Sequence, residues 1–397
     1  MPTPENGLKT PRAGQERSDP MEIYLDNSAT TPVCPEAAAA AMQAMNVTFG
    51  NPSALHAVGG AAKNTVSAAR KALAAAMSAA PEEIYFSHSG TLANNTAVFG
   101  AAHLGQKRGN RIVTTALEHP SVARCMDALE ARGFEVIRLA PDANGAVAPA
   151  DIAAAVNDKT VLVSVMLVNN ETGAINPVEY IAPAVRRAGA PALIHIDAIQ
   201  GFGKLPFRPA RIGADLVSVS GHKLHAPKGV GALYVRKGLR LPNYVYGGGQ
   251  ENGLFSGTEN VPGIAGFGAA VRALPEPKAQ LAKTQALNAF LRERLSAYPQ
   301  VAFNSPAGAL PYILNLSVAG IPSQVLINYL SSRGISVSAG SACKKGRRSE
   351  VLTAMGVAPA RIDSAIRVSL SRFTTEQEIE AFAQAVGEGI KSIRTKL

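Results

Sequence analysis

Short apolar runs alternate with alanine-rich stretches from about residue 35 to residue 270, and this alternation constrains the fold more than any other feature. Such runs favour strands, and alanine favours helices. Their alternation predicts βαβ units and a mostly parallel sheet between helices. The predicted strands are Glu83–Phe86, Arg111–Ala116, Glu135–Leu139, Val161–Val168, Leu193–Ile196, Leu216–Val219 and Gly231–Val235. The predicted helices are Pro35–Met45, Gly60–Met77, Leu92–Gly105, His119–Arg132, Pro149–Asn157 and Val178–Ala188.

The pattern changes near residue 275, at the sequence LPEPKAQ, which we interpret as a hinge. We predict an α/β protein whose large domain, residues 33–272, holds a mostly parallel seven-stranded sheet. Residues 21–32 and 273–397 are predicted to form a smaller α/β domain. The first 20 residues are polar and interrupted by proline and glycine, so we expect a flexible extension. The later elements are predicted as a helix to about Tyr298, Ile313–Val318, Ser323–Arg333, Ile335–Ser338, Ile366–Leu370 and a helix from Thr375.

Composition argues against several classes of protein. The 397 residues are 47% hydrophobic and 17% charged, which predicts a globular protein with a substantial core. We see neither a membrane-spanning apolar run nor a secretory signal. Three cysteines without zinc-site spacing predict no disulfide framework, no metal site and a cytoplasmic location. The net charge is +10, but the basic residues are scattered and tryptophan is absent, so we expect no direct nucleic-acid binding.

Polar side chains follow five of the predicted strands. Ligands in open α/β sheets bind beyond the carboxyl ends of the strands, so these side chains predict a site at one edge of the sheet. The polar segments are residues 87–91, 118–119, 169–171, 197–200 and 220–223.

The sequence FSHSGTLANN, residues 86–95, is typical of a strand, a glycine-containing turn and a helix. The free N–H groups and the dipole at such a helix start suit a phosphate near Gly90 and Thr91. Taken alone, the motif is more typical of an ordinary turn with a serine or threonine cap. It matches neither the dinucleotide-binding nor the P-loop glycine pattern.

Lys223 lies at another strand end, within SVSGHKLHAPKGVGALYV, residues 218–235. A single loop lysine is ordinarily solvated. Together with an acid, an imidazole and a phosphate turn, however, it predicts a Schiff base with pyridoxal 5′-phosphate. Asp197 would hold the ring nitrogen protonated, and His119 would lie against the ring. The other polar groups would contact the ring hydroxyl (Gln200 and Asn170) and the phosphate (Ser220 and His222).

A series of motifs beyond residue 21 resembles the cysteine desulfurases of the class V aminotransferase family, in the branch with a long cysteine loop. This family has the type I fold of pyridoxal-phosphate enzymes. The motifs are YLDNSATTP (24–32), FGNPSALH (49–56), SGTLANN (89–95), EHPSV (118–122), VNNETG (168–173), IDAIQ (196–200), SVSGHKLHAPKGVGALYV (218–235), GGGQENGLFSGTEN (247–260), SAGSAC (338–343) and IRVSLSRFTTEQEI (366–379).

The resemblance implies the assignments above, with Asn170 near the ring hydroxyl or the substrate, and adds three further residues. Thr258 would reach the phosphate of the neighbouring subunit, which implies a homodimer. Arg367 would bind the substrate carboxylate, for which a bidentate guanidinium is suited. Cys343 would be the nucleophile.

The implied reaction converts L-cysteine to L-alanine. Lys223 would take the α-proton while the cofactor acts as an electron sink, and His119 would assist proton transfer at the substrate thiol. The thiolate of Cys343 would attack the substrate sulfur and become a persulfide. A sulfur acceptor, such as an iron–sulfur scaffold or a tRNA-thiolation enzyme, would then receive the sulfur.

The residues around Cys343 agree with this role. Small residues precede it, and four cations follow, which would lower the pKa of the thiol: Lys344, Lys345, Arg347 and Arg348. We interpret the segment as a mobile basic loop suited to an acidic acceptor. Cys34 and Cys125 are interpreted as structural.

Two positions depart from the family pattern: residue 92 is Leu where Glu is usual, and residue 255 is Phe where Arg is usual. The cofactor residues are unaffected, so the departures concern efficiency, dimer contacts and partner choice.

Two alternative functions are a selenocysteine lyase or related enzyme on the same scaffold, and a non-catalytic cofactor-binding scaffold. Full activity of Cys343→Ala on cysteine would favour the first, and a purified protein that stays colourless would favour the second.

Overall fold

A computed structural model describes residues 22–339 and 348–394. Cys343, most of the basic residues after it and the predicted N-terminal extension lie outside these ranges. The strands are β1 Ile23–Tyr24, β2 Ile84–Ser87, β3 Arg111–Thr115, β4 Glu135–Leu139, β5 Thr160–Met166, β6 Leu193–Asp197, β7 Leu216–Ser220, β8 Gly231–Val235, β9 Val301–Phe303, β10 Ile313–Val318, β11 Ile335–Ser336 and β12 Ala365–Ser369.

Many of the helices begin with proline, which lacks the N–H that the first turn leaves unpaired. None of the helices within the described ranges is long and apolar enough to cross a membrane. The helices are α1 Pro35–Asn46, α2 Ala57–Met77, α3 Gly90–Gly105, α4 Pro120–Glu130, α5 Pro149–Ala155, α6 Ile181–Arg187, α7 Pro209–Ile212, α8 Val261–Arg272, α9 Pro277–Ser296, α10 Ser323–Ser331, α11 Glu350–Ala354, α12 Pro359–Asp363 and α13 Glu376–Arg394.

The main sheet has seven strands in the order β2-β8-β7-β6-β5-β3-β4, and this confirms the predicted mostly parallel sheet. Strands β3 to β7 run parallel to one another, whereas β8 is antiparallel to both β2 and β7. Every residue of β5, β6, β7 and β8 is buried. Burial on both faces explains why these strands are apolar runs rather than alternating ones.

A second core surrounds a small antiparallel sheet of β9, β10 and β12. Its buried residues include Leu316, Val368 and Phe382, and helices α9, α10 and α13 contribute to it. Leu25 joins the same core, and β1 pairs in parallel with β11. The N-terminal segment therefore packs with C-terminal elements, over three hundred residues away in sequence.

Helix α8 is absent from the sequence-based prediction because Gly263, Gly266 and Gly268 lower its helix propensity. The structure shows what these glycines permit. A Cβ added at Gly268 would lie 2.6 Å from Ala69, and one at Gly266 would lie 2.7 Å from Pro227. Helix α8 therefore packs closely on its neighbours, and tertiary contacts outweigh the local preference.

Candidate active site

A cavity of about 580 Å³ opens beyond the carboxyl ends of β5, β6 and β7. This is the edge at which the polar segments were expected to meet, because parallel strands end on the same side of a sheet. Ten of the predicted site residues line it: Gly90, Thr91, His119, Asn170, Asp197, Gln200, Ser220, His222, Lys223 and Arg367.

Lys223 ends a single 3₁₀ turn, Gly221–Lys223, that directly follows β7. Its Nζ donates hydrogen bonds to the carbonyl oxygens of Ser28 at 2.7 Å and Ala29 at 2.8 Å. Both residues lie in the motif YLDNSATTP, in which no site residue was predicted from the sequence. The N-terminal segment thus holds the amine at the cavity wall.

Asp197 ends β6 and is only 4% exposed. Its Oδ1 accepts a hydrogen bond from the Ile199 N–H at 3.0 Å, and its Oδ2 accepts one from Asn94 Nδ2 at 2.8 Å. Burial raises the pKa of Asp197, while these hydrogen bonds and the nearby charges of His119 and Lys223 oppose that rise. A protonated pyridine nitrogen of the predicted cofactor, placed beside Asp197, would favour the ionised carboxylate further.

His119 lies at the N-cap of α4, one residue before the helix begins, and not inside the helix as predicted. The proline at position 120 explains this, because it favours the first helical position. The Nδ1 atom of His119 lies 2.8 Å from Ser121 Oγ and accepts a hydrogen bond from the Ser121 N–H at 3.2 Å. Burial and the charge of Lys223 lower the pKa of His119, and Asp197 opposes them.

The predicted phosphate turn joins β2 to α3. Ser89 caps the helix, since its Oγ accepts a hydrogen bond from the Leu92 N–H at 3.1 Å. Helix α3 begins at Gly90, two residues earlier than predicted. A Cβ at Gly90 would lie 3.1 Å from Ser220 Cβ and would clash with Ile199 Cδ1, so the turn packs closely against the ends of β6 and β7.

His222 completes this side of the cavity. Its Nδ1 lies 3.2 Å from Thr30 Oγ1. Burial and the charges of Lys223 and Lys228 lower the pKa of His222 to about 4, so the ring is neutral at pH 7. A neutral ring can donate a hydrogen bond to a phosphate without a buried charge of its own.

Gln200 is fixed from two sides. Its Nε2 donates to the carbonyl oxygen of Ser28 at 2.9 Å, and its Oε1 accepts from Lys204 Nζ at 3.2 Å. Lys204 is buried, and burial together with Lys223 and Arg367 lowers its pKa to about 7. Lys204 was not predicted from the sequence, where its only local signal is its position four residues after Gln200.

Asn94 and Ser121 were also missed, although both lie inside quoted motifs. Asn94 Nδ2 donates to Asp197 Oδ2 and also to Ser121 Oγ, in both cases at 2.8 Å. The spacing of Asn94 four residues after Gly90 on α3 was the available signal, since it turns both residues toward one face of the helix.

Two predicted residues do not join the group. Thr258 does not line this cavity in the described chain; it borders a smaller one with Phe255. Cys343 lies outside the described residues.

The two residues that depart from the family pattern, Leu92 and Phe255, lie in the same environment. Phe255 belongs to an apolar cluster against which Leu92 packs. Cys34 and Cys125 are buried and form no disulfide within the described part of the chain.

The residues present fit pyridoxal 5′-phosphate. A primary amine, a buried carboxylate and a helix N-terminus face one cavity, and these match the aldehyde, the ring nitrogen and the phosphate of that cofactor. The cavity volume is within the usual range for small-molecule sites. The fold and the site therefore define a pyridoxal-phosphate enzyme.

Comparison with known proteins names the family. The family described as Aminotransferase class-V matches residues 23–382. The chain belongs to this family and, within it, to the cysteine desulfurases, with which it shares 37–41% identity over 94% of its length.

The similar proteins come from several organisms. Cysteine desulfurase IscS of Methanosarcina thermophila is 37% identical, with 93% of that protein covered. Cysteine desulfurase IscS of Serratia proteamaculans is 40% identical, with 94% covered. Among solved structures, a NifS-like protein superposes with a TM-score of 0.88 at 35% identity, covering 95% of this chain and 100% of the other. A NifS-like protein from Rickettsia africae has a TM-score of 0.81 at 30% identity, covering 92% and 99%.

Proposed function

We propose that this cysteine desulfurase converts L-cysteine to L-alanine and transfers the sulfur to Cys343 as a persulfide. One observation carries the proposal: the Lys223 amine, the Asp197 carboxylate and the His119 ring face one cavity in a chain related to cysteine desulfurases. A solved relative described as SspA in complex with cysteine, 32% identical with a TM-score of 0.78, adds support for this substrate.

Pyridoxal 5′-phosphate, when bound, supplies an electron sink for negative charge at the substrate α-carbon. Asp197 would pair with its ring nitrogen, and His119 would lie against its ring. Gln200 and Asn170 would contact its hydroxyl group. The phosphate would be held by a further set of residues: Gly90, Thr91, Ser220, His222 and the partner subunit's Thr258.

The protein's own residues then handle protons and sulfur. The Lys223 amine takes the α-proton, for which it must be neutral at that moment. His119 moves a proton at the substrate sulfur. The Cys343 thiolate attacks that sulfur, so that an S–S bond forms as the Cβ–S bond breaks, and the electron pair of the broken bond remains with the substrate carbon. Protonation of that carbon, together with return of a proton from Lys223 to the α-carbon, completes alanine.

Arg367 would bind the substrate carboxylate. It is 3% exposed and lies in the same cavity wall as Asn170. A buried guanidinium binds a carboxylate more strongly than an exposed one, because solvent screens it less.

The chain is proposed to work as a cytoplasmic homodimer. Thr258 lies outside the main cavity of its own chain, which supports a role across a subunit interface. The proposed domain division, residues 33–272 against residues 21–32 and 273–397, is supported by the separate apolar core around β10. The proposed acceptor is an iron–sulfur scaffold or a tRNA-thiolation enzyme with an acidic docking surface.

Release of alanine and sulfide from L-cysteine tests the proposal, with the wild type and with Lys223→Ala, Cys343→Ala and the control Cys34→Ala. We expect Lys223→Ala to lose both products and Cys343→Ala to lose sulfur transfer. The control, a buried cysteine outside the cavity, should retain both activities. Full activity of Cys343→Ala on L-cysteine would instead favour a lyase that needs no cysteine nucleophile.

A further inference from the structure

A continuous line of hydrogen bonds joins two of the site residues through two side chains that have no assigned role. Asn94 is fully buried on α3, and its Nδ2 donates to Asp197 Oδ2 and Ser121 Oγ. Ser121 Oγ in turn lies 2.8 Å from Nδ1 of His119. The line therefore runs from the carboxylate at the end of β6 to the imidazole at the start of α4.

The direction of each hydrogen bond follows from chemistry. Asp197 and Ser121 both receive amide hydrogens from Asn94, because the opposite amide orientation would set its oxygen against the carboxylate. The Asn94 oxygen has no hydrogen-bond partner among the described residues, so nothing there favours the reverse orientation. Since Ser121 Oγ accepts from Asn94, its one hydrogen is left to donate to His119.

Two donors therefore converge on Nδ1 of His119: the Ser121 hydroxyl and the Ser121 backbone N–H. A nitrogen that accepts two hydrogen bonds carries no proton, so the proton of the neutral ring resides on Nε2. We propose that Asn94 and Ser121 are positioning residues that hold His119 as the Nε2–H tautomer, with the Nε2–H group as the hydrogen-bond donor toward the cavity. This inference rests on the proposed function only for its catalytic consequence.

The arrangement has a direct consequence for the ring's acidity. Protonation of Nδ1 would require both donors to be given up, so they oppose the imidazolium form. The charged groups that face the ring are Asp197, which favours the imidazolium, and Lys223, which disfavours it. Removal of the Ser121 hydroxyl should thus allow the pKa of His119 to rise.

Nitrogen NMR of the histidine rings in the full-length chain tests the tautomer directly. His119 is identified by the signal that His119→Gln loses. We expect the wild type to show a protonated Nε2 and an unprotonated Nδ1, with or without bound cofactor. A wild-type proton on Nδ1 overturns the proposal, whatever the activity of the enzyme.

Variants test the two positioning residues. In Ser121→Ala we expect a higher pKa of His119 and a kcat for alanine formation reduced about 2- to 10-fold, as for one lost hydrogen bond, with little change in KM. Ser121→Thr keeps the hydroxyl and should restore both values. Asn94→Ala should shift the pKa in the same direction, and the double variant should shift it by less than the sum.

Ser164→Ala is the matched control, because Ser164 makes the same kind of contact with another buried histidine, His195, at 2.8 Å. It should leave the His119 signals and the kinetics unchanged. An unchanged His119 pKa in Ser121→Ala contradicts the proposal even if turnover falls. If the wild type shows the Nε2–H tautomer but forms no alanine from L-cysteine, the proposed function is contradicted and the tautomer inference is not.

Discussion

Arg367 and Asp26 form an ion pair at the edge of the cavity, with Nη2 and Oδ1 2.9 Å apart. The other terminal nitrogen of Arg367 donates to the Asn170 carbonyl oxygen at 2.8 Å. The Arg367 side chain is 3% exposed, so Asp26 compensates a charge that would otherwise be buried alone. An N-terminal residue thereby orients the guanidinium proposed to bind substrate.

Lysine in place of Arg367 should weaken substrate binding more than chemistry. An ammonium cannot hold Asp26, the Asn170 carbonyl and a bidentate carboxylate in one plane. For Arg367→Lys we expect KM for L-cysteine to rise on the order of tenfold, with a smaller fall in kcat. Steady-state alanine formation measures both. Arg138→Lys, at an exposed ion pair, is the control, and an unchanged KM in Arg367→Lys would contradict the assignment.

Replacement of Lys204 by methionine should raise the stability of the fold and weaken cofactor binding. The folded pKa of Lys204 is about 7 against 10.5 when unfolded, so its burial destabilises the fold below pH 7, and the penalty is relieved as pH rises toward 10.5. Methionine removes the buried charge, so Lys204→Met should gain on the order of 1 kcal/mol at pH 6. It should also bind cofactor several-fold less tightly, because Gln200 loses its donor.

Denaturant unfolding and cofactor titration measure these two effects. Lys237→Met, at an exposed lysine, is the control. Lower stability of Lys204→Met at pH 6 would show that the ammonium stabilises the fold.

Glu118 should make stability depend on pH in an unusual direction. Its Oε1 accepts from Thr115 Oγ1 at 2.7 Å and the Met166 N–H at 2.9 Å, and burial raises its pKa to about 8. The folded protein thus binds a proton that the unfolded chain releases near 4.5, so this contribution to stability is lost as pH rises from 4.5 to 8. Glu118→Gln, which stays neutral, should exceed the wild type at pH 8 by on the order of 2 kcal/mol.

Unfolding free energies of both proteins at several pH values check this. The difference between Glu118→Gln and the wild type should grow from pH 5 to pH 8, whereas Gly60→Ala, which removes no titratable group and meets nothing within 4 Å, should give a constant difference. A constant difference for Glu118→Gln would mean that the carboxyl is ionised throughout.

Gly231→Ala should disturb the phosphate turn, because Gly231 on β8 packs against the backbone of that turn. A Cβ at Gly231 would lie 2.7 Å from the carbonyl carbon of Ser89 and 2.9 Å from the backbone nitrogen of Gly90. Backbone must move to relieve such contacts, at a cost of about 1–3 kcal/mol. We expect Gly231→Ala to lose that much stability and to bind cofactor more weakly, as measured by thermal unfolding and cofactor absorbance. Gly60→Ala meets nothing within 4 Å and should match the wild type; equal behaviour of the two variants would contradict the prediction.

Much of the large sheet could be predicted from sequence because its signals are local. The buried strands are apolar runs in the sequence, and polar site residues such as Asp197 and Lys223 lie at or just after the strand ends. Helix α8 could not be predicted, because only its close packing with other helices outweighs its glycines.

The sequence by itself determined which polar side chain follows each strand. It therefore determined which residues supply the amine, the acid and the imidazole of the site. Only the tertiary structure decided their partners. Asp26 meets Arg367 from 341 positions away, and Asn94 links Asp197 to Ser121 across α3, β6 and α4. Local periodicity carries the first kind of information, whereas contacts between distant segments depend on how the whole chain packs, which no short stretch of residues specifies.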